Sequence, residues 1–394
     1  MKILVLATKS PWPAIDGGRQ LLAATLEALA FRGHDLTLVF PAQPDDAPCP
    51  FAGCRVVPVA VRKRSRLRDL IGAQLRRRPL TLHRHDHREM SAKVEELLAA
   101  EKFELVHAEQ VQALAAAEPA FARGLPVVLR AQNLESELWR GLAKRRWWLW
   151  PLLALEGKRL ASEEAKAVQR ATATVALSWR DATGLTALAG KKVIELPAFA
   201  PAELPASEKL PGEPALVLFG GGWPPNRDGA SFFLNEIWPR IAAGFPGARV
   251  HVFGDAEARG ERVEGHPAPR ESRQAFPAGG ILLVPLFIGS GVRMKILESW
   301  ARGLPVIATP VAARGLLAKN GQEIEIAAIP DEFIAAIEKL GQPEEAAKAV
   351  ESGRALLRSQ HDPEQLAARL EEIYGQTVAD ASPFLRQQNR LGRV

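Results

Sequence analysis

A chain of 394 residues, 47% apolar and 24% charged, has the composition of an ordinary globular protein with room for two sizeable cores. Its net charge of +6 suggests a basic patch, which serves an acidic ligand, nucleic acid or anionic lipid equally well. Two cysteines, Cys49 and Cys54 in APCPFAGC, exclude a disulfide framework and a cysteine zinc site, and reduced thiols are expected.

The opening MKILVLATKSPWPAIDGG has too short an apolar run for a signal peptide and no small-residue cleavage site after it. No stretch reaches the ~18 unbroken apolar residues of a membrane span. A cytoplasmic protein is the default expectation. Within that opening, residues 2–7 read as a buried strand, followed by a loop and a helix, QLLAATLEALAFRG, ending at Gly33. Further strands are predicted at 35–40, 103–108, 126–131 and 172–178, each a short aliphatic run set off by a helical stretch. That alternation is the mark of βαβ units and a parallel sheet. Residues 195–214 are dense in proline and lack a period, so they read as a linker. Strands resume at 215–221, 248–254, 280–286 and 304–309. After residue 376 the chain turns polar, and SPFLRQQNRLGRV is expected to be a loosely held tail.

The expected architecture is two tandem Rossmann-like α/β domains facing a central cleft. The N-terminal domain takes residues 1–194 and the Pro-rich linker 195–213. The second domain takes 214–362. Residues 363–394 hold a C-terminal helix, with a crossing back to the first domain as one option, and the polar tail.

Ligands of open parallel sheets bind beyond the carboxyl ends of the strands, and three glycine-bearing loops qualify. They are SPWPAIDGGRQ with Gly17 and Gly18, FGGGWPPNRDG with Gly221 and Gly222, and FIGSGVRMKILES, residues 287–299. None fits G-x-G-x-x-G or the Walker pattern, so a dinucleotide or P-loop nucleotide is poorly supported. Bare N–H groups at helix starts do bind phosphate. Arg293, Lys295 and Glu298 in the third loop leave two readings open. They are a solvated helix face, or a charge cluster for an anionic ligand.

Four stretches carry a family resemblance. LFGGGWPPNRDGASFFLNEIWPRI and VPLFIGSGVRMKILESWARGLPVIATPVAARGL in the second half resemble the donor domain of retaining glycosyltransferases of the GT-B fold, family 4. PWPAIDGGRQLLAATLEALAFRGHDLTLVF and LRAQNLESELW resemble that family's N-terminal segments. The resemblance implies transfer of a sugar from a nucleoside-diphosphate donor with retention of configuration. It places the leaving diphosphate against Arg293 and Lys295, and the donor against Gly17, Gly18, Gly221, Gly222, Gly289, Ser290 and Gly291. Glu298 would accept from the ribose hydroxyls, and Arg227, which follows Asn226 after the glycine loop, would be a second candidate for a cation near the diphosphate, with a surface arginine as the alternative. His107, Gln132, Asn133 and Glu135 become candidate sugar or acceptor contacts, with a satisfied strand-end histidine and local helix capping as the alternatives. Two positions depart from the family pattern. Ser290 stands where many members have a first glutamate, and Gln132, which cannot titrate, where they have histidine.

With arginine and lysine neutralising the diphosphate, no cofactor and no metal is expected. His251 and His266 carry no metal-ligand spacing in sequence. The acceptor implied is a cell-surface glycan or its lipid-linked precursor. The alternatives are a nucleotide-sugar epimerase of the same fold and a sugar-nucleotide or glycan-binding protein without catalysis. The basic excess gathers in residues 61–84 and 139–155, where Lys144, Arg145 and Arg146 adjoin Trp147, Trp148 and Trp150. Two readings stand there as well, a helix with a buried tryptophan face and an interfacial helix on an anionic membrane. The second would make the protein peripheral on the inner membrane face. No nucleic-acid module is evident.

Overall fold

The computed structural model describes residues 1–62 and 65–391. The chain folds as two compact units. One comprises Met1–Pro13, Leu22–Pro197 and Pro363–Val394, the other Ala14–Leu21 and Ala198–Asp362.

The first unit is built on seven parallel strands. They are β1 (Lys2–Leu6), β2 (Asp35–Pro41), β3 (Cys54–Val59), β4 (Leu105–Glu109), β5 (Val127–Ala131), β6 (Ala173–Ala176) and β7 (Ile194–Glu195), in the order β3-β2-β1-β4-β5-β6-β7. The central strands β1, β4 and β5 are buried on both faces because helices cover both. Leu4, Leu6, Val106, Val127 and Leu129 meet Val94, Leu97 and Leu160 from the helices in one core.

The second unit repeats this winding. Its strands are β8 (Ala215–Phe219), β9 (Arg249–Phe253), β10 (Arg259–Gly260), β11 (Val263–His266), β12 (Gly280–Val284), β13 (Val306–Ala308) and β14 (Glu325–Ile326). Their order is β10-β11-β9-β8-β12-β13-β14, parallel except for the β10–β11 hairpin. Leu216, Leu218, Val250, Ile281 and Leu283 pack on Phe233, Ile237, Phe333 and Ile337.

All nine predicted strands are present, and five others are not legible in the sequence. β3 is a half-buried edge strand carrying Pro58, which an edge tolerates because one side of it needs no ladder donor. The other four, β7, β10, β11 and β14, run two to four residues, too few for a period to show.

The helices that matter below are α1 (Gly17–Phe31), α2 (Arg66–Leu75), α3 (Glu135–Arg145), α4 (Trp150–Arg170), α5 (Pro224–Phe232), α6 (Met294–Ala301), α7 (Pro343–Gln360) and α8 (Pro363–Leu391). The Pro-rich stretch is anchored. Ala198, Phe199 and Ala200 are buried, the Ala200 N–H donates to His361 O at 2.9 Å, and the His361 ring donates to Ala198 O at 2.8 Å. Beyond residue 376 the backbone stays helical to Leu391 in α8. The last three residues of the chain, 392–394, lie outside the described residues, as do Lys63 and Arg64 of the basic stretch and the side chain of Trp147. Cys49 and Cys54 are free thiols.

Candidate functional site

In the second sheet the chain winds from β8 toward β9 on one side and returns to β12 on the other. The carboxyl ends of β8 and β12 therefore flank the switch point where such sheets bind ligands. The loop after β8 feeds α5, whose first turn holds prolines suited to a helix start. The loop after β12 feeds α6. A side chain on Gly229 of α5 would come within 2.3 Å of the Pro285 carbonyl, so α5 lies directly on the second loop.

The glycines do different jobs. Gly221 is pressed against the next loop, where a Cβ would stand 2.1 Å from Gly254 O. Its bareness serves loop packing, a reason that is not visible in the sequence. Gly222 has φ +72° and open space around it, and Gly291 turns the chain at φ +73°. Gly289 makes room for Arg293, since a Cβ there would meet the guanidinium at 2.9 Å. Ser290 is buried between these two glycines.

Arg293 immediately precedes α6. It is 9% exposed, folds back over Gly289 and lies 5.9 Å from the Trp223 ring, so it is not part of a solvated face. Lys295, in the first turn of α6, donates to Asn226 Oδ1 at 3.0 Å and sits 4.5 Å over the Phe219 ring. Burial, with the Arg293 charge adding to it, pushes its ammonium down to about 7. An anion beside it would reverse that shift.

Glu298 is buried and already engaged. Ser272 Oγ donates to its Oε1 at 2.6 Å, as does Arg302 Nε at 2.8 Å, and Gln20 Nε2 donates to Oε2 at 2.7 Å. Its orientation is fixed, with most of the remaining accepting capacity on Oε2. Gln20 and Ser272 were not anticipated from sequence. Arg302 had a signal, an i,i+4 acid–base pair on a helix. Gln20 belongs to the short segment Ala14–Leu21 that groups with this unit. In the same segment a Cβ on Gly17 would stand 2.8 Å from Met294 Cβ, so α1 starts against the first residue of α6. Gly18 follows in the same turn. Asp16 Oδ1 accepts from the Arg19 N–H at 3.1 Å, and Arg19 is a buried cation that no sequence motif singles out. Two helix starts and several cations thus gather at one place, an arrangement that favours anions. Arg227 of α5 is exposed.

The four candidates of the first unit fare differently. Glu109 and Arg130 are directly paired in the β4–β5 register, so His107 and Gln132, two residues away on each strand, share their face. Arg130 is fully buried, with Nε 2.8 Å from Glu109 Oε2 and Nη1 2.7 Å from Thr25 Oγ1. His107 is buried with both ring nitrogens engaged, at 3.1 Å by Glu109 and at 2.6 Å by Tyr374 of α8. Of the two readings of His107, these bonds favour the satisfied strand-end histidine, which ties α8 to the sheet. Gln132 donates to Glu109 Oε1 at 2.7 Å and accepts from Gln110 at 2.6 Å, so both ends of its amide are occupied. Burial alone would raise the Glu109 carboxyl, but Arg130 and His107 hold it well below the usual range.

Leu134 is the N-cap residue of α3, and its side chain makes no cap. The cap comes from Glu164 of α4, which accepts from the Glu135 N–H at 2.6 Å and the Ser136 N–H at 3.3 Å. Glu164 is fully buried, and burial pushes its carboxyl up to about 7. Asn133 Nδ2 lies 3.4 Å from Glu135 Oε1, and burial raises the Glu135 carboxyl while the Gln112 and Asn133 amides oppose it.

Residues 16–194 match the family described as glycosyl transferase 4-like domain, and residues 213–343 that described as glycosyl transferases group 1. An uncharacterized 44.6 kDa protein of the cps region of Klebsiella pneumoniae is 21% identical over 355 residues, 83% of this chain and 87% of its own. Sucrose-phosphate synthase from Thermosynechococcus elongatus shares the fold with a TM-score of 0.74 at 14% identity, over 96% of this chain and all of that one. HepE of Anabaena, crystallised with UDP and glucose, does so with a TM-score of 0.66 at 16% identity, over 95% and 100%. Two family matches in chain order, on two doubly wound sheets, make the conclusion plain: this chain is a glycosyltransferase of the GT-B fold and belongs to group 1, family 4.

Proposed function

We propose that this glycosyltransferase takes its sugar from a nucleoside diphosphate, retains the anomeric configuration, and delivers it to a glycan or lipid-linked precursor of a surface polysaccharide. One observation carries the reading. A buried arginine and a half-buried lysine with a depressed pKa stand at the start of α6, beside a Gly-Ser-Gly turn, at the switch point of the second sheet. Departure of the diphosphate puts negative charge on its outer phosphate, and donors fixed in advance at that place are the largest lever on the rate. Arg293 and Lys295 take that charge, with N–H groups of residues 289–291 beside them. Glu298, held by Arg302 and Ser272, presents Oε2 to a ribose hydroxyl in place of, or alongside, Gln20.

The HepE crystals holding UDP, and in another case UDP-glucose, favour a uridine nucleotide. The cps-region relative favours capsule assembly. With two cations on the diphosphate, transfer needs no metal and should proceed in chelator. Gln132, an amide that does not titrate, offers no base for an epimerase. Incubation with a panel of nucleotide sugars, with and without lipid-linked acceptor, tests the reading. Acceptor-dependent release of diphosphate with retained configuration supports it. Isomerised donor, or binding without turnover, refutes it.

A membrane surface completes the proposal. Among the described residues no helix is long and apolar enough to cross a bilayer. Trp148 and Trp150, however, are 62% and 56% exposed, so the buried tryptophan face is not found for these two. Leu67, Ile71 and Leu75 form an exposed apolar row on α2, and Arg159 Nη1 of α4 donates to Gln74 Oε1 of α2 at 2.9 Å, bringing the helices side by side. Exposed Arg66, Arg68, Arg76, Lys144 and Arg145 surround these apolar groups, a composition suited to an anionic interface. Flotation with anionic but not neutral vesicles, reversed by salt, is the expected result.

A further inference from the structure

The outer strands of the second sheet bring together three side chains far apart from the α6 loop in sequence. β9 and β11 are parallel, with His251 paired to Glu264 and Phe253 to His266. Paired residues of parallel strands, and residues two apart, share a face. His251, Glu264 and His266 therefore converge on one side of the sheet.

Their geometry is that of a ligand set. His251 Nδ1 lies 3.0 Å from His266 Nε2 and 3.8 Å from Glu264 Oε2, and all three atoms fall within 4.8 Å of one another. Ligands at ~2.0–2.1 Å in a tetrahedral zinc site stand roughly 3.3–3.4 Å apart, and the two measured separations bracket that value. The tautomer is also set. His251 is fully buried and its Nε2 lies 2.8 Å from the Pro211 carbonyl. A carbonyl only accepts, so Nε2 carries the hydrogen and Nδ1 keeps its lone pair for the cluster. A ligating histidine is ordinarily oriented in this way by an outer carbonyl. The His266 ring is held in turn by stacking on Phe253, with centroids 4.5 Å apart and planes 16° apart. Glu264 is more than half exposed, which leaves an entry side and room for water as a fourth ligand.

We infer that His251 Nδ1, His266 Nε2 and the Glu264 carboxylate form a binding site for one divalent ion of the zinc class. Two imidazoles and one carboxylate suit Zn²⁺, Co²⁺ or Ni²⁺ and not Mg²⁺ or Ca²⁺, which seek oxygen-only shells. The ion joins the outer strand β11 to β9 and, through His251, to the Pro-rich stretch at Pro211. Its ligands lie on β9 and β11 and not on β8 or β12, and the role inferred is that of a stabilising ion.

Untagged protein stripped with chelator should bind one Zn²⁺ per chain by calorimetry. Its melting temperature should rise by about 5 °C when free Zn²⁺ exceeds Kd a hundredfold, with no response to Mg²⁺. Co²⁺ should give the visible d–d bands of a low-symmetry nitrogen–oxygen site. His266→Gln should abolish stoichiometric binding, and Glu264→Gln, at an exposed position that folding does not need, should weaken it roughly tenfold or more. Absence of Zn²⁺ binding by the parent protein would overturn the inference and leave a hydrogen bond between two histidines. Zn²⁺ affinity unchanged in both variants would overturn it equally.

Discussion

Two sheets with the same winding end in opposite chemistry. The carboxyl ends of β4 and β5 in the first unit carry His107, Glu109, Arg130 and Gln132, each spent on a protein partner. The carboxyl ends of β8 and β12 in the second lead to Arg293, Lys295 and bare glycines, with Lys295 held at a protonation state that an anion would change. Topology says where a ligand of either sheet could lie. Whether the groups there serve the fold or a ligand is a separate matter, decided by partners.

The largest effect should come from breaking the closed network. Arg130→Met leaves Glu109 buried beside a neutral side chain, and removing one member of a buried ion pair costs about 3–5 kcal/mol. The denaturation midpoint should fall accordingly. A midpoint within experimental error of the parent's would mean that the network is not closed.

Next is the cationic end of the second sheet. Arg293→Ala should lower donor-saturated turnover on the order of a hundredfold, with a small change in donor affinity and none in melting temperature. Glu298→Gln should chiefly raise the donor KM, since a ribose contact exists before and during transfer. Equal loss in kcat and KM for the two variants would erase the division of labour between them.

Glu164 gives a third test, through pH. Its folded pKa, raised to about 7 from an ordinary 4.5, means that between these values the folded state holds a proton the unfolded state has released. Stability therefore falls as pH rises from 4.5 to 7 and is level above. Glu164→Gln keeps an acceptor for the Glu135 and Ser136 N–H groups and removes the titration. Its melting curve should match the parent at pH 4.5 and gain on the order of 2 kcal/mol at pH 8. A constant difference at both pH values would refute the assignment.

The smallest expected effect is at Lys295. With a folded pKa near 7, above neutrality a diphosphate must bring a proton to the amine as it binds. Affinity for a nucleotide sugar, whose own charge is constant there, should fall by up to about tenfold between pH 7 and 8.5. Lys295→Gln should flatten that slope. Because the unfolded lysine holds its proton up to about 10.5, the amine's depressed pKa makes fold stability without ligand rise with pH over 7–10.5. A flat affinity profile in the parent would place the diphosphate elsewhere.

The residue order determined by itself the nine strands with continuous apolar runs, the repeated winding and the α6 loop. Continuous apolar runs and glycine-to-helix transitions are local, so they can be read along the chain. The Glu298–Arg302 pair is equally local, and its spacing alone could have revealed it. What only the tertiary structure decided are matters of partnership. His107 and Arg293 look alike in sequence, each a polar group where an apolar run meets a loop. The first is consumed by Glu109 and by Tyr374, 267 residues away. The second folds over Gly289 at the start of a helix. His251 and His266 have no meaningful spacing along the chain, yet a parallel register sets their nitrogens 3.0 Å apart. Strand register and helix packing join residues whose separation in sequence carries no signal, and a polar group's availability depends on those distant partners.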